Sequence, residues 1–356
     1  MRVYYLVWAL SLIIQWILPG STDKQYRWKL FFTFIPLFLF GALRVDFGND
    51  YWAYERLFYA VQGSGFPNED SSMEIGYQFL CHILPNFRTV LIINAFLLSL
   101  SLGVFIYRYV PKRYLWLAVT LVFLNPEKNI YGNLVGIRNG LVVTSFLLSY
   151  IFVEKRKWIP FFLITALLLT IHKSALLFLP IAYFLGLNKP MTRGEAVVWV
   201  IGSIVLLGVG MSTLVDMVSL LIDNEYFDQY EGYLEKKISR GWLLTLTSII
   251  LLVFFLVYLY KNRHRLTTSD NSIIRMGMWY SGTSFLGSLA MRAAYFYDMF
   301  FIAAVIKIVA DKKIGLSFRL VLLALVIAMC CYSMFYVWMG KSWWNHGIYH
   351  SIIGSW

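Results

Sequence analysis

Charge is scarce in this chain. Only 14% of its 356 residues are Asp, Glu, Lys or Arg, whereas 59% are hydrophobic. A soluble domain of this size needs far less apolar surface, so the shortage points to a polytopic membrane protein, all-α and built as a single transmembrane domain over residues 1–356. Cysteine is scarce as well. Cys81, Cys330 and Cys331 have no metal-ligand spacing and make no disulfide framework. The adjacent pair Cys330–Cys331 lies in an apolar run and reads as packing. There is no internal repeat, low-complexity tract or soluble domain.

What charge there is sorts by side. The hydrophobic sequence divides into about twelve membrane-length or near-membrane-length segments. They are expected at 3–18, 29–43, 89–107, 114–125, 134–153, 158–171, 174–187, 195–221, 241–260, 273–290, 294–310 and 319–339. Lys and Arg crowd alternate connections, which by the positive-inside rule makes those connections cytoplasmic and turns both termini outward. The inner side then holds 18 Lys/Arg against 5 Asp/Glu, and the outer side 12 against 14. The net charge of +12 is therefore a topology signal and an attraction to anionic lipid, not a nucleic-acid patch. Residues 1–20 imitate a signal peptide, but a retained first helix is expected, because its removal leaves the topology without its first crossing. The pair 158–171 and 174–187 is short for two crossings. It reads either as tilted short spans or as two half-helices meeting at His172-Lys173.

Two outer connections are long, 44–88 and 223–240. The first opens with Arg44-Val45-Asp46-Phe47-Gly48-Asn49-Asp50-Tyr51, followed by Tyr54. Gly48 permits a tight turn, so Asp46 and Asp50 are expected to converge on one site. A carboxylate tuned by desolvation and neighbouring charge takes a proton from a sugar hydroxyl. An arginine offers a planar fork to phosphate oxygens. The plainer reading is an interfacial salt bridge capping the second helix. Glu74 is a third candidate acid in the same loop, though alone it is a weak signal that also reads as a surface glutamate. Arg138 lies about one turn inside the apolar run of the fifth span, near Asn133, where a charge is costly unless paired or solvated. His172 interrupts an apolar stretch, as a helix-end residue, a general base or a hydrogen-bond donor. It has no second histidine at ligand spacing, which argues against zinc. Arg292 and Tyr295 sit at the turn before the eleventh span. Outer aromatics, among them Tyr51, Tyr54, Tyr230 and Tyr295, suit an interfacial belt and also a sugar groove.

Taken in order, Arg44-x-Asp46-x-Gly48-x-Asp50-Tyr51-x-x-Tyr54, Glu74-x-Gly76-Tyr77, Arg138 near Asn133, His172-x-Ser174 and Arg292-x-x-Tyr295 resemble the EpsG family of bacterial polysaccharide polymerases, related in role to the Wzy O-antigen polymerases. The resemblance implies a membrane glycosyltransferase of GT-C-like architecture in the bacterial cytoplasmic (inner) membrane, with its site facing outward. Its donor and acceptor are glycans on undecaprenyl diphosphate, joined into O-antigen, capsule or exopolysaccharide. A chain-length regulator is a further possible partner. No cofactor or metal is implied.

On that reading Asp46 or Asp50 deprotonates the acceptor hydroxyl, and Glu74 substitutes or orients the sugar. His172 donates to a phosphate or positions the acceptor. Arg44, Arg138 and Arg292 stabilise the leaving diphosphate. Tyr51, Tyr54, Asn133, Tyr230 and Tyr295 contact sugar. The main rival is a lipid-linked oligosaccharide flippase, which has no need of clustered carboxylates. A membrane O-acyltransferase is disfavoured because its histidine belongs on the cytoplasmic side.

Overall fold

The computed structural model describes residues 2–67, 73–175, 179, 182, 190–202, 242–283, 288–338 and 349–355. Most of the expected spans 174–187 and 195–221, and the whole 223–240 connection with Tyr230, lie outside those residues. The chain forms two compact units, residues 1–184 with 330–356, and residues 185–329.

The first unit holds α1 (Arg2–Ile17), α2 (Asp23–Leu43), β1 (Arg44–Val45), α3 (Tyr51–Ser64), α4 (Ile75–Ile83), α5 (Phe87–Tyr109), α6 (Leu115–Leu124), α7 (Gly132–Val135), α8 (Ile137–Glu154), α9 (Trp158–Leu169), β2 (His350–Ser351) and β3 (Gly354–Ser355). In the second are α10 (Trp242–Asn262), α11 (Thr268–Thr283) and α12 (Ser288–Ala310), while α13 (Leu316–Trp338) runs from the second unit into the first. Among the described residues, α2, α5, α8 and Leu316–Phe335 of α13 are long and apolar enough to cross a membrane. The protein is an α-helical membrane protein.

Helix α2 starts six residues before the expected position, for a local reason. Thr22 Oγ1 accepts from the Gln25 amide at 3.2 Å, and Gln25 Oε1 accepts from the Thr22 amide at 3.1 Å. This reciprocal cap satisfies two donors at the helix start. Helix α2 then packs on α5 through Gly41, where a Cβ would lie 2.8 Å from that of Ala95. Tyr4 of α1 donates to the Phe123 carbonyl of α6 at 2.6 Å.

The fourth expected span, 114–125, continues to Val135 through a π-helical turn, Glu127–Tyr131. Pro126 has no N–H, so the Val122 carbonyl loses its helical donor. Asn129 Nδ2 reaches both that carbonyl, at 3.4 Å, and the Asn125 carbonyl, at 3.3 Å. One turn on, Asn133 Nδ2 donates to the Lys128 and Asn129 carbonyls at 3.0 and 3.1 Å. The asparagines repair a backbone ladder that apolar surroundings would otherwise leave open.

The 44–88 connection folds as two short helices on the ends of α5 and α8. Tyr51, Tyr54, Phe58 and Val61 recur at helical spacing along one face of α3. They join Tyr77, Cys81, Phe87, Val90, Leu91, Ile137 and Leu141 in one buried cluster. The far end of the chain returns to the same place. Strands β1, β2 and β3 pair antiparallel in that order. Tyr349 stacks on Phe40 at 4.7 Å and donates to its carbonyl at 2.7 Å.

Residues expected on the inner side also meet within each unit. In the first, Asp23 pairs with Arg27 at 3.0 Å and with Lys112 at 3.4 Å, and accepts from Tyr107 at 2.9 Å. In the second, Arg275 pairs with Glu195 at 3.0 Å and Arg265 with Asp311 at 2.6 Å. Lys307, inside the eleventh expected span, pairs with Asp270.

Candidate active site

Helix α9 unwinds after Leu169. The His172 amide still reaches the Leu168 carbonyl at 2.9 Å, and Ala175 restarts helical bonding to the His172 carbonyl at 3.0 Å. The start of α4 is laid against this break. The Gly76 amide donates to the Thr170 carbonyl at 2.7 Å, an approach open only to glycine. A Cβ there would sit 2.1 Å from Thr170 Oγ1.

That contact places Glu74, two residues earlier, inside the break. Glu74 Oε1 lies 3.0 Å from His172 Nδ1 and accepts from the Lys173 amide at 3.0 Å. Its other oxygen, Oε2, pairs with the Arg138 guanidinium. Three distant stretches of chain thus meet at one carboxylate. Its side chain is 9% exposed, that of His172 12% and that of Arg138 21%. The Arg138 guanidinium also stands 5.9 Å from the centre of the Tyr54 ring, a cation–π arrangement. Next along α8, Asn139 Oδ1 accepts from Ser174 Oγ at 3.5 Å, which ties α8 to the residues after the break.

The electrostatics follow from this geometry. Burial opposes ionisation of Glu74, but the His172 hydrogen bond, the Arg138 charge and the Lys173 amide outweigh it and hold the carboxyl at about 2. Glu74 is therefore anionic at neutral pH and a poor proton acceptor. As an anion it can only accept at His172 Nδ1, and that contact orients the imidazole. The cluster unites a fixed anion, an oriented imidazole and a guanidinium, which suits acid–base work beside an anionic group.

Three residues expected to bind substrate belong to the framework instead. Arg44 is 1% exposed and donates to the carbonyls of Gly41 and Leu134, both at 2.7 Å. Those carbonyls are left over at helix ends, and a buried fork of donors is what they require. Tyr51 is buried, with its ring edge-on to that of Phe87 at 5.4 Å. Asn133 is buried and spends its amide on the π-helical turn. Tyr54 is likewise buried, but under Arg138.

The Gly48 turn forms, with φ +91° and Asp46 at φ +47°. It is pressed so closely on α7 that a Cβ at Gly48 would lie 2.4 Å from Val135. Asp46 is exposed, and its charge acts on Tyr51. The charge of the half-buried Asp50 acts on Tyr54. Arg292 and Tyr295 lie on α12 in the second unit, and the Arg292 side chain is outside the described residues.

Sequence reasoning passed over several residues that hold the site in place. Arg88 donates to the carbonyls of Ala42 and Arg44 at 2.9 and 2.6 Å. Asn94 is fully buried in α5 and donates to the carbonyls of Asn133 and Leu134 at 3.0 and 3.3 Å. An asparagine in an apolar helix was the available signal. The Lys173 contribution comes from its backbone and left no signal in the side-chain pattern.

No curated protein and no solved structure matches the chain. Residues 27–350 match the EpsG family, and over nearly its whole length this polysaccharide-polymerase-like membrane protein belongs to that family.

Proposed function

We propose that the protein is a membrane glycosyltransferase that polymerises oligosaccharide repeat units carried on undecaprenyl diphosphate. It would act at the outer face of the cytoplasmic membrane, within a GT-C-like arrangement of about twelve crossings. The observation that carries this reading is the Glu74 carboxylate holding His172 and Arg138 around one half-buried point.

His172 Nε2 takes the proton of the acceptor hydroxyl as that oxygen attacks the anomeric carbon of the donor. The bond from that carbon to the diphosphate oxygen breaks, and Arg138 stabilises the charge that develops on the leaving undecaprenyl diphosphate. Glu74 orients the imidazole and stabilises its charged form. It is not the base, because the groups that surround it occupy both its oxygens and make it too weak an acceptor to take the hydroxyl proton. Asp50, beside Tyr54, is the second candidate base and Asp46 the third. Arg292 adds a cation, and Tyr230 and Tyr295 contribute sugar contacts. The step needs no metal, since guanidinium groups supply the positive charge.

The deciding experiment incubates purified protein with a defined undecaprenyl-diphosphate repeat unit, with excess chelator present, and sizes the products. A ladder of polymer supports the reading. Transbilayer movement of the substrate without new glycosidic bonds replaces it with the flippase. A ladder that appears only with added divalent cation removes the metal-free step.

A further inference from the structure

Helix α4 carries an apolar row that stands exposed among the described residues. Ile75, Phe79 and Ile83 follow one another at four-residue intervals and are 54%, 48% and 53% exposed. The opposite face, with Tyr77 and Cys81, is packed into the cluster described above. Phe66 widens the row, its ring edge-on to that of Phe79 at 5.7 Å.

A second exposed row lies on the helix that α4 touches. On α9, Ile159, Leu163 and Leu167 recur at the same spacing, 53%, 66% and 63% exposed. Helix α9 is apolar throughout, so this row faces lipid once the helix is in a membrane. The hydrogen bond from Gly76 to Thr170 joins the last turn of α9 to the first turn of α4.

Depth supports the same conclusion. Helices α8 and α9 are linked by the basic turn Lys155-Arg156-Lys157. From that turn the 18 residues of α8 rise about 27 Å and the 12 residues of α9 about 18 Å before both reach the Glu74 cluster. A hydrocarbon core is about 30 Å thick. With the basic turn at one boundary, the cluster lies short of the other, and α4 starts at that level.

We propose that α4 is an interfacial helix sunk in the membrane leaflet at the Glu74 end, with Ile75, Phe79 and Ile83 against lipid acyl chains. Glu74 immediately precedes Ile75, so the cluster borders hydrocarbon at its side. The embedding does not depend on glycan chemistry. Joined to the function proposed above, it is the path by which a lipid-borne diphosphate reaches Arg138 in the plane of the membrane.

Spin labels at single cysteines test it. Ile75→Cys, Phe79→Cys and Ile83→Cys would be made in a Cys331→Ser background, since Cys81 and Cys330 are buried. Leu163→Cys serves as the lipid-facing reference and Arg56→Cys as the water-facing one. Power saturation in phosphatidylglycerol–phosphatidylethanolamine proteoliposomes then compares relaxation by oxygen with relaxation by a water-soluble nickel chelate. The expected result is oxygen relaxation at the three α4 positions matching position 163, with loss of the nickel relaxation found at position 56. Nickel relaxation equal to that at position 56 overturns the proposal, because it puts the row in water. Protection from both agents also overturns it, because it puts protein on the row. The polymer ladder is scored separately, so failure of one reading leaves the other standing.

Discussion

Arg44 and Arg138 look alike in sequence. Each is a lone arginine at a helix end beside a polar, glycine-containing stretch, and each was expected to face a diphosphate. In the structure they have opposite surroundings. Arg44 meets carbonyl dipoles that lost their helical partners, and it closes the framework. Arg138 meets a full carboxylate, which also holds a histidine and a backbone amide. A guanidinium neutralised by backbone is cement. One paired with an ion that is itself shared stays available to a competing anion such as phosphate. What separates the two arginines in the structure is therefore the partner's identity, not position in the chain.

That contrast can be broken experimentally. The largest expected effect is at His172. Its replacement by Ala should lower the polymerisation rate by about 10²–10⁴-fold, the usual range for a general base. Undiminished kcat in the purified enzyme returns the base to Asp50 or Asp46. Arg138→Ala should cost about 10²–10³-fold in kcat while the protein stays folded in the membrane. Arg138→Lys should recover only part of this, because an ammonium lacks the planar fork. Full-length polymer from Arg138→Ala removes the assignment.

Arg44→Ala should do the reverse. The Gly41 carbonyl loses its donor, at about 1–3 kcal/mol, while that of Leu134 is left to Asn94 alone. The detergent-solubilised protein should melt earlier, with activity per folded molecule retained. Equal thermal midpoints for the wild type and this variant would contradict the framework role.

Smaller still is Glu74→Gln, expected to slow turnover about 10–100-fold, the range for losing a partner that orients a working histidine. Its sharper signature is the pH profile. The anion favours the imidazolium, so its removal should move the acid limb of the rate to lower pH. Glu74 itself contributes no titration near neutrality. Its carboxyl is depressed to about 2 from an ordinary 4.5, so its stabilising contribution is complete above about pH 4.5 and is lost as pH falls towards 2. An acid limb that does not move in the variant would separate Glu74 from the imidazole. The least effect is expected at Asp46→Asn, an exposed position, where stability should change by no more than about 0.5 kcal/mol. A large loss of kcat there would reinstate it as the base.

Much of the site was legible as a set of anomalies. Arg138 within an apolar run and His172 breaking one are each costly or unusual where they stand, whereas Glu74 alone is a weak signal, one acid among several in its loop. Their convergence was not legible, because it joins positions 74, 138 and 172 through side chains that no local pattern connects. Asn133 misled for a related reason. An asparagine near a helix start looks like a ligand for sugar, yet the π-helical turn leaves the Lys128 and Asn129 carbonyls in need of a donor, and the Asn133 amide serves them. The extension of the fourth span to Val135 was hidden by the same proline, which reads as a stop when π-helical repair is not considered.

Composition and charge alternation determined on their own that this is a helical membrane protein, since apolar length and the cost of unpaired backbone in lipid leave few other forms. The order of short polar motifs was enough to indicate the family. Tertiary structure alone decided which charges pair with one another and which close the backbone framework. A buried charge takes whatever partner lies within reach, and reach is set by helix packing: Gly76 against Thr170 for Glu74, Gly41 against Ala95 for the helix end that Arg44 closes.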